Sequence, residues 1–244
     1  MIVRLIYPRS PPPVKEKFKP GKIRLLNNTR RIKDLLYEQV ARIGKAAGSP
    51  KRLELIELLC QGEKTVDMLA REAAISMKLA SAHLRELRAA RLVETEKMGK
   101  HVVYRIANRA VADFWVAIRS LAEDRLVELR LALDQMASHP KELAPRDRDS
   151  LVKLAKKGEV VVLDVRPASE YAAAHLPFAR SIPLDELKLR LAELPAGKTV
   201  VAYCRGPYCL MARDAVALLR KKGYDAVRLP EGVAEWGIAP VRAG

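Results

Sequence analysis

The chemistry in this chain is concentrated in Cys204-Arg205-Gly206-Pro207-Tyr208-Cys209. A cysteine thiolate is a strong nucleophile, and its free pKa of about 8.5 falls at a helix N-terminus or beside a cation. The apolar run Thr199–Tyr203 before the loop reads as a buried strand, and Leu210 to Lys222 after it reads as a helix. Cys204 therefore stands at the end of a strand, in a turn that opens a helix, where backbone N–H groups gather and hold an anion. That placement predicts a lowered thiol pKa at Cys204. Arg205 is positioned to attract an anionic substrate. Cys209 is read mainly as packing at the start of the helix, and secondarily as a resolving thiol.

The elements around this loop predict an α/β unit. Val160–Arg166 is apolar nearly throughout, as expected of a parallel strand buried on both faces. Leu151–Lys157, capped by Asp149 or Ser150, and Glu186–Leu194 read as helices. Gly223–Leu229 reads as a last strand. The loop, the Asp164-Val165-Arg166 strand, Glu170-Tyr171, His175-Leu176-Pro177 and Ile182-Pro183 resemble rhodanese-type sulfurtransferases over about residues 148–242. In that family the leading cysteine carries a persulfide, so the resemblance implies Cys204 as the sulfur carrier, with Gly206, Pro207, Tyr208 and Cys209 completing the substrate loop. It also implies a closing helix at Gly232–Trp236. Ala174 and Phe178 stand where the family's turn has glycines, so a strained turn is expected there.

Upstream the pattern is helical. Ile32, Leu35, Leu36, Val40 and Ile43 recur at helical spacing, and Pro50, Val66 and Met77 open three further helices. The last, running to Ala90, turns Ala80, Leu84 and Leu87 to one side and Lys78, Ser81, Arg85 and Arg88 to the other. Hydroxyls and guanidinium groups on such a face reach bases and phosphates in a major groove. Leu92–Thr95, a turn at Lys97–Lys100 and His101–Ile106 then read as a hairpin whose Lys97 and Lys100 meet phosphates. Gly48–Leu53, Val66–Ala70, Ser81–Leu87, Arg91-Leu92-Val93 and Gly99–Tyr104 together resemble an ArsR-type winged-helix repressor, over residues 31–137. The resemblance adds His83 to the DNA face and implies a two-fold dimer. The dimer is built with the first helix and a long helix over Asp113–Met136. The Cys-Val-Cys metal motif of many members is here Thr65-Val66-Asp67, whose oxygen atoms do not replace thiolates for a soft metal. Neither a metal nor a cofactor is expected. Cys60 reads as a small buried apolar residue.

The net charge of +16 points to a polyanionic partner, and half of it falls in residues 1–31, with nine Lys/Arg against one acid. The expected organisation is therefore a basic, proline-rich, loosely attached extension (1–30), a mainly-α winged helix-turn-helix domain (31–138), a linker (139–148) and a rhodanese-like α/β domain with helices on both faces of a parallel sheet (149–244). Three cysteines argue against a disulfide framework and no apolar run suits a membrane helix, so a cytoplasmic protein is expected. The function expected is a repressor, a homodimer on double-stranded operator DNA, whose Cys204 takes sulfur from thiosulfate or polysulfide. The alternatives are a sulfurtransferase with an attached DNA-binding domain, or a fusion whose rhodanese fold only binds a partner.

Overall fold

The structure is a computed structural model that describes residues 29–136, 147–238 and 240. The basic extension before Thr29 and the linker segment 137–146 lie outside the described residues. Residues up to Arg42 and residues from Ile43 onward form separate units. The first is the leading part of helix α1 (Thr29–Ala47). Its Leu36, Tyr37 and Val40 are exposed.

From Ile43 the chain builds a winged helix: α2 (Pro50–Leu59), a two-residue strand β1 (Lys64–Thr65), α3 (Val66–Glu72), α4 (Met77–Ala89), then the hairpin β2 (Val93–Met98) and β3 (His101–Ile106). Sequence reasoning missed β1, which pairs with β3 to give the order β1-β3-β2. The hairpin turn is shorter than expected. Thr95 pairs with Tyr104 and Met98 with His101, so Lys97 lies within a strand and only Gly99-Lys100 form the tip, Gly99 with a positive φ of 59°. Leu55, Ile56, Leu69, Leu84 and Leu87 are wholly enclosed in the core. Ser76 caps α4, its hydroxyl accepting from Leu79 N at 3.2 Å.

The long helix expected over 113–136 is two helices, α5 (Arg109–Arg125) and α6 (Val127–Met136). Leu126 between them is extended (φ −105°, ψ 107°), although hydrogen bonds from Leu126 N to Ala122 O and Arg130 N to Leu126 O continue across the break. No helix among the described residues is long and apolar enough to cross a membrane.

The second half is a four-stranded parallel sheet of order β5-β4-β6-β7, with β4 (Val160–Asp164), β5 (Arg180–Ser181), β6 (Thr199–Tyr203) and β7 (Ala226–Arg228). Helix α7 (Arg148–Lys157) opens it, α8 (Ala168–Ala173) and α9 (Leu184–Leu187) flank β5, and α10 (Met211–Lys221) follows β6. Alternation along the strands fills two cores. Leu163, Val200 and Ala202 meet Leu187, Ala212 and Leu219 on one face, and Val162, Val201 and Tyr203 meet Leu151 and Leu176 on the other. Helices thus cover both faces.

Three local expectations are corrected. Asp147, not Asp149 or Ser150, caps α7, its carboxylate accepting from the amides of both. The helix expected over 186–194 is only α9 plus a short 3-10 turn, Leu191–Glu193. The closing helix expected at 232–236 is a turn, within which Glu235 folds back and accepts from Gly232 N at 2.6 Å. The turn at 174–179 behaves as expected at one position: Phe178 is held at φ 61°, whereas Ala174 is extended at φ −165°.

Phe178 is 54% exposed, so removing its ring loses little packing while relieving a left-handed backbone. Phe178→Gly is expected to raise stability by about 1 kcal/mol, roughly 2–4 °C in the thermal midpoint, measured by circular dichroism melting.

Candidate functional site

Strand β6 delivers Cys204 to the C-terminal edge of the sheet, and the loop returns through a Cys209 N to Gly206 O bond of 3.2 Å into α10. Gly206 takes φ 146°, and a Cβ there would press on the Glu235 carboxylate. Gly232 has a stronger reason to be glycine: a Cβ would lie 2.6 Å from Cys204 O and 2.7 Å from Arg205 C. The turn at 232–236 therefore rests directly on the backbone of the cysteine loop.

Cys204 is buried, 1% exposed, and its Sγ donates to Cys209 O at 3.4 Å. Burial pushes its thiol well up, the neighbouring Cys209 adds to that, and the amides of Ala212 and Gly206 only partly offset it. Cys209 moves the other way. A hydrogen bond from the Cys204 thiol, supported against burial by the amides of Arg205 and Met211 and by the Arg205 charge, brings it down to about 6. The two sulfurs titrate as a pair that shares one readily lost proton. Burial thus works against the lowered thiol expected at Cys204, and it is the pair that gives up a proton readily.

Arg205 is partly buried and already paired. Its Nε donates to Glu170 Oε2 at 3.0 Å, and its Nη2 to Glu170 Oε1 at 2.6 Å and to Glu72 Oε2 at 2.5 Å. Glu72 ends α3 in the winged helix. Lys64 of β1 closes the ring, meeting Glu170 at 2.7 Å and Glu72 at 3.0 Å. Burial alone would raise the Glu170 carboxyl, but the bonds from Arg205 and Lys64 outweigh it and hold the group below its usual range.

The winged helix covers the rest of the loop as well. Gln61 is completely enclosed; it donates to Arg205 O at 3.4 Å and accepts from Arg166 Nη1 at 2.9 Å. Arg166 is fixed in turn by Asp164 at 2.6 Å. Trp115 of α5 meets the Tyr208 ring edge-on at 6.2 Å between centroids, and the Arg119 guanidinium lies 5.7 Å from the Tyr208 ring centre. Arg119 pairs with Glu235 at 2.6 Å. Ala234 and Tyr208 pack into the winged-helix core itself. Sequence reasoning missed Gln61, Lys64, Glu72, Trp115 and Arg119 as neighbours of the loop. Each looks like an ordinary core or surface residue of its own domain, and no local pattern announces a partner in the other.

On the other side of the winged helix, Lys78, Ser81, Arg85 and Arg88 share the exposed face of α4, opposite the enclosed Ala80, Leu84 and Leu87. His83 is half-buried, and Lys97 and Lys100 are exposed on the wing. Thr65 donates to Asp67 in an exposed contact. Among the described residues no group of three His, Cys, Asp or Glu side chains is arranged to hold a metal.

Fold and site together define a winged-helix DNA-binding regulator joined to a rhodanese-like module. The family of bacterial regulatory proteins described as arsR matches residues 49–95, and the rhodanese-like domain family matches residues 147–239. The HTH-type transcriptional regulator Rv0324 of Mycobacterium tuberculosis is 40% identical over 214 residues, which is 87% of this chain and 94% of that one. A sulfurtransferase of Allochromatium vinosum is 33% identical over 92 residues, 37% of this chain and 84% of its own. The homodimeric winged helix-turn-helix domain Mb0332 of Mycobacterium bovis, a solution structure, is 36% identical over 39% of this chain and 89% of that one, with a TM-score of 0.38. The chain belongs to the ArsR family of transcriptional regulators, in the form that carries a rhodanese domain.

Glu57 of α2 reaches the same site with its Oε1 enclosed and without a hydrogen-bond partner. Burial, and then the charge of Cys209, raises its carboxyl from 4.5 to about 7. Below pH about 4.5 the group is protonated folded or unfolded. Between there and pH 7 only the unfolded chain ionises, so the folded state loses stability as pH rises. Glu57→Gln removes that loss. The variant is expected to exceed the parent by on the order of 2 kcal/mol at pH 8, with the gap closing toward pH 4.5, as read by denaturant unfolding across that range.

Proposed function

We propose that this regulator holds sulfane sulfur on Cys204 and that loading alters its affinity for operator DNA. The observation that carries the reading is the burial of the sulfur loop under the DNA-binding half. Gln61, Glu72 and Trp115 all touch it, so a change in the loop meets α3, α5 and the end of α2, and α2 and α3 pack against α4, which carries the DNA face. The chemistry needs no external oxidant. The Cys204 thiolate attacks the outer sulfur of thiosulfate; a new S–S bond forms to Sγ, the S–S bond of thiosulfate breaks, and sulfite leaves with its electron pair. The persulfide anion then lies among the loop amides. Transfer of the shared proton toward Cys209 first frees the Cys204 thiolate, which gives Cys209 a part in the reaction beyond packing.

DNA binding is assigned to Lys78, Ser81, Arg85 and Arg88 on α4, with His83 beside them and Lys97 and Lys100 on the wing. Exposure of a basic face opposite a closed core supports this. The protein acts as a homodimer. Leu126, Val127 and Leu131 of the α5–α6 region are exposed, each above 50%, and apolar side chains exposed in this way call for a partner. Its place of action is the cytoplasm, with the DNA. The enzyme reading, a sulfurtransferase with a DNA-binding attachment, uses the same Cys204 chemistry and differs in that loading leaves DNA affinity unchanged.

Two measurements test this. A duplex selected from random DNA by the reduced protein is titrated with reduced and with thiosulfate- or polysulfide-treated protein, and mass spectrometry follows Cys204. A gain of about one sulfur atom together with an affinity change of tenfold or more is the expected result, abolished in Cys204→Ser. Unchanged DNA affinity in the loaded protein would leave a sulfurtransferase. Separately, Arg85→Ala and Lys100→Ala are each expected to lower the slope of log affinity against log salt by about 1.

A further inference from the structure

The ring of Arg205, Lys64, Glu170 and Glu72 joins two cations to two carboxylates that are not equivalent. Glu170 belongs to the same half as the loop, is 2% exposed, and binds Arg205 through two nitrogens and Lys64 through one. Glu72 comes from the DNA-binding half, is 22% exposed, and touches each cation once. Water and solutes reach the ring from the Glu72 side, so Glu72 is the carboxylate that exchanges. It is also the last residue of α3, two residues before Ala74, which holds a left-handed backbone (φ 51°) in the turn leading to α4.

We propose that the Glu72 carboxylate is a stand-in for the anionic sulfur donor: it occupies an oxyanion site made by Arg205 and Lys64 beside the sulfur loop, and a small dianion displaces it. The site takes sulfur oxyanions such as thiosulfate, whose planar-faced sulfonate oxygens suit a guanidinium fork and an ammonium. While Glu72 is seated, α3 stays fastened to the loop and Cys204 stays closed. When a dianion takes its place, the fastening to α3 is lost and the loop opens toward solvent. The proposal rests on the sulfur-holding reading given above for its biological donor. The exchange itself involves only ionic contacts. By linkage, an operator that favours one seating of Glu72 changes donor affinity by the factor with which the donor changes operator affinity.

The test needs neither sulfur transfer nor DNA. The full chain is alkylated with iodoacetamide and digested with trypsin, which cuts after Arg205 and so places Cys204 and Cys209 on separate peptides. Glu72→Gln keeps the shape of the side chain and removes its charge. The expected result is an initial alkylation rate at Cys204 at least tenfold above the parent, with Cys60 unchanged. Sulfate, an inert dianion, is expected to speed Cys204 alkylation in the parent relative to chloride at equal ionic strength, and to have little effect in Glu72→Gln. Equal Cys204 rates in parent and variant overturn the proposal. So does a parallel rise at Cys60, buried in the winged-helix core, because it means general loosening. A protein that passes this test yet never gains sulfur on Cys204 refutes the sulfur-holding reading and leaves the oxyanion site standing.

Discussion

Four charged side chains, Lys64 and Glu170 buried and Arg205 and Glu72 partly so, hold the two halves of this regulator in one arrangement. Ions stripped of water cost several kcal/mol each unless every lone pair and proton finds a partner. Here Glu170 accepts from Arg205 and Lys64 at 2.6–3.0 Å, and Glu72 completes the ring. Breaking one contact leaves a charge without a partner, so the arrangement is held more firmly than the net worth of any pair suggests. The same logic governs Arg166, which is satisfied by Asp164, Ala174 O and Gln61 together. Such contacts are directional. They therefore set one orientation where apolar packing alone tolerates several.

The cysteine loop inherits its character from that arrangement. In an open loop the helix N-terminus and the amides would favour a thiolate at the leading cysteine. With the winged helix over it, burial dominates at Cys204 and pushes its thiol up. The Cys204 thiol is thus enclosed beneath the winged helix, 1% exposed. Trp115 and Tyr208, with Arg119 near both rings, supply the apolar part of the cover, and Gly232 lets the final turn come close enough to seal the loop's other side.

Much of this was legible in the residues. Alternation and apolar runs placed β4 and β6, helical spacing placed α2 to α4, and the enclosed Ala80, Leu84 and Leu87 were separated correctly from the basic face. Motif spacing brought out the two families and the loop. One boundary failed where a side chain overrides propensity: Asp147 caps α7 in place of its neighbours. The break at Leu126 has no breaker residue and left no signal.

By itself, then, the sequence determined most of the elements that form, which face of α4 is buried and which two families the halves belong to, because those depend on periodicity and local spacing. Only the tertiary structure decided what Arg205 touches, how deeply Cys204 is buried and what covers the loop. Glu72 and Arg205 lie 133 positions apart, and their pairing arises from how two separately patterned halves meet. No local pattern encodes that, since a buried ion pair across an interface looks, in each half alone, like a charged residue at the surface.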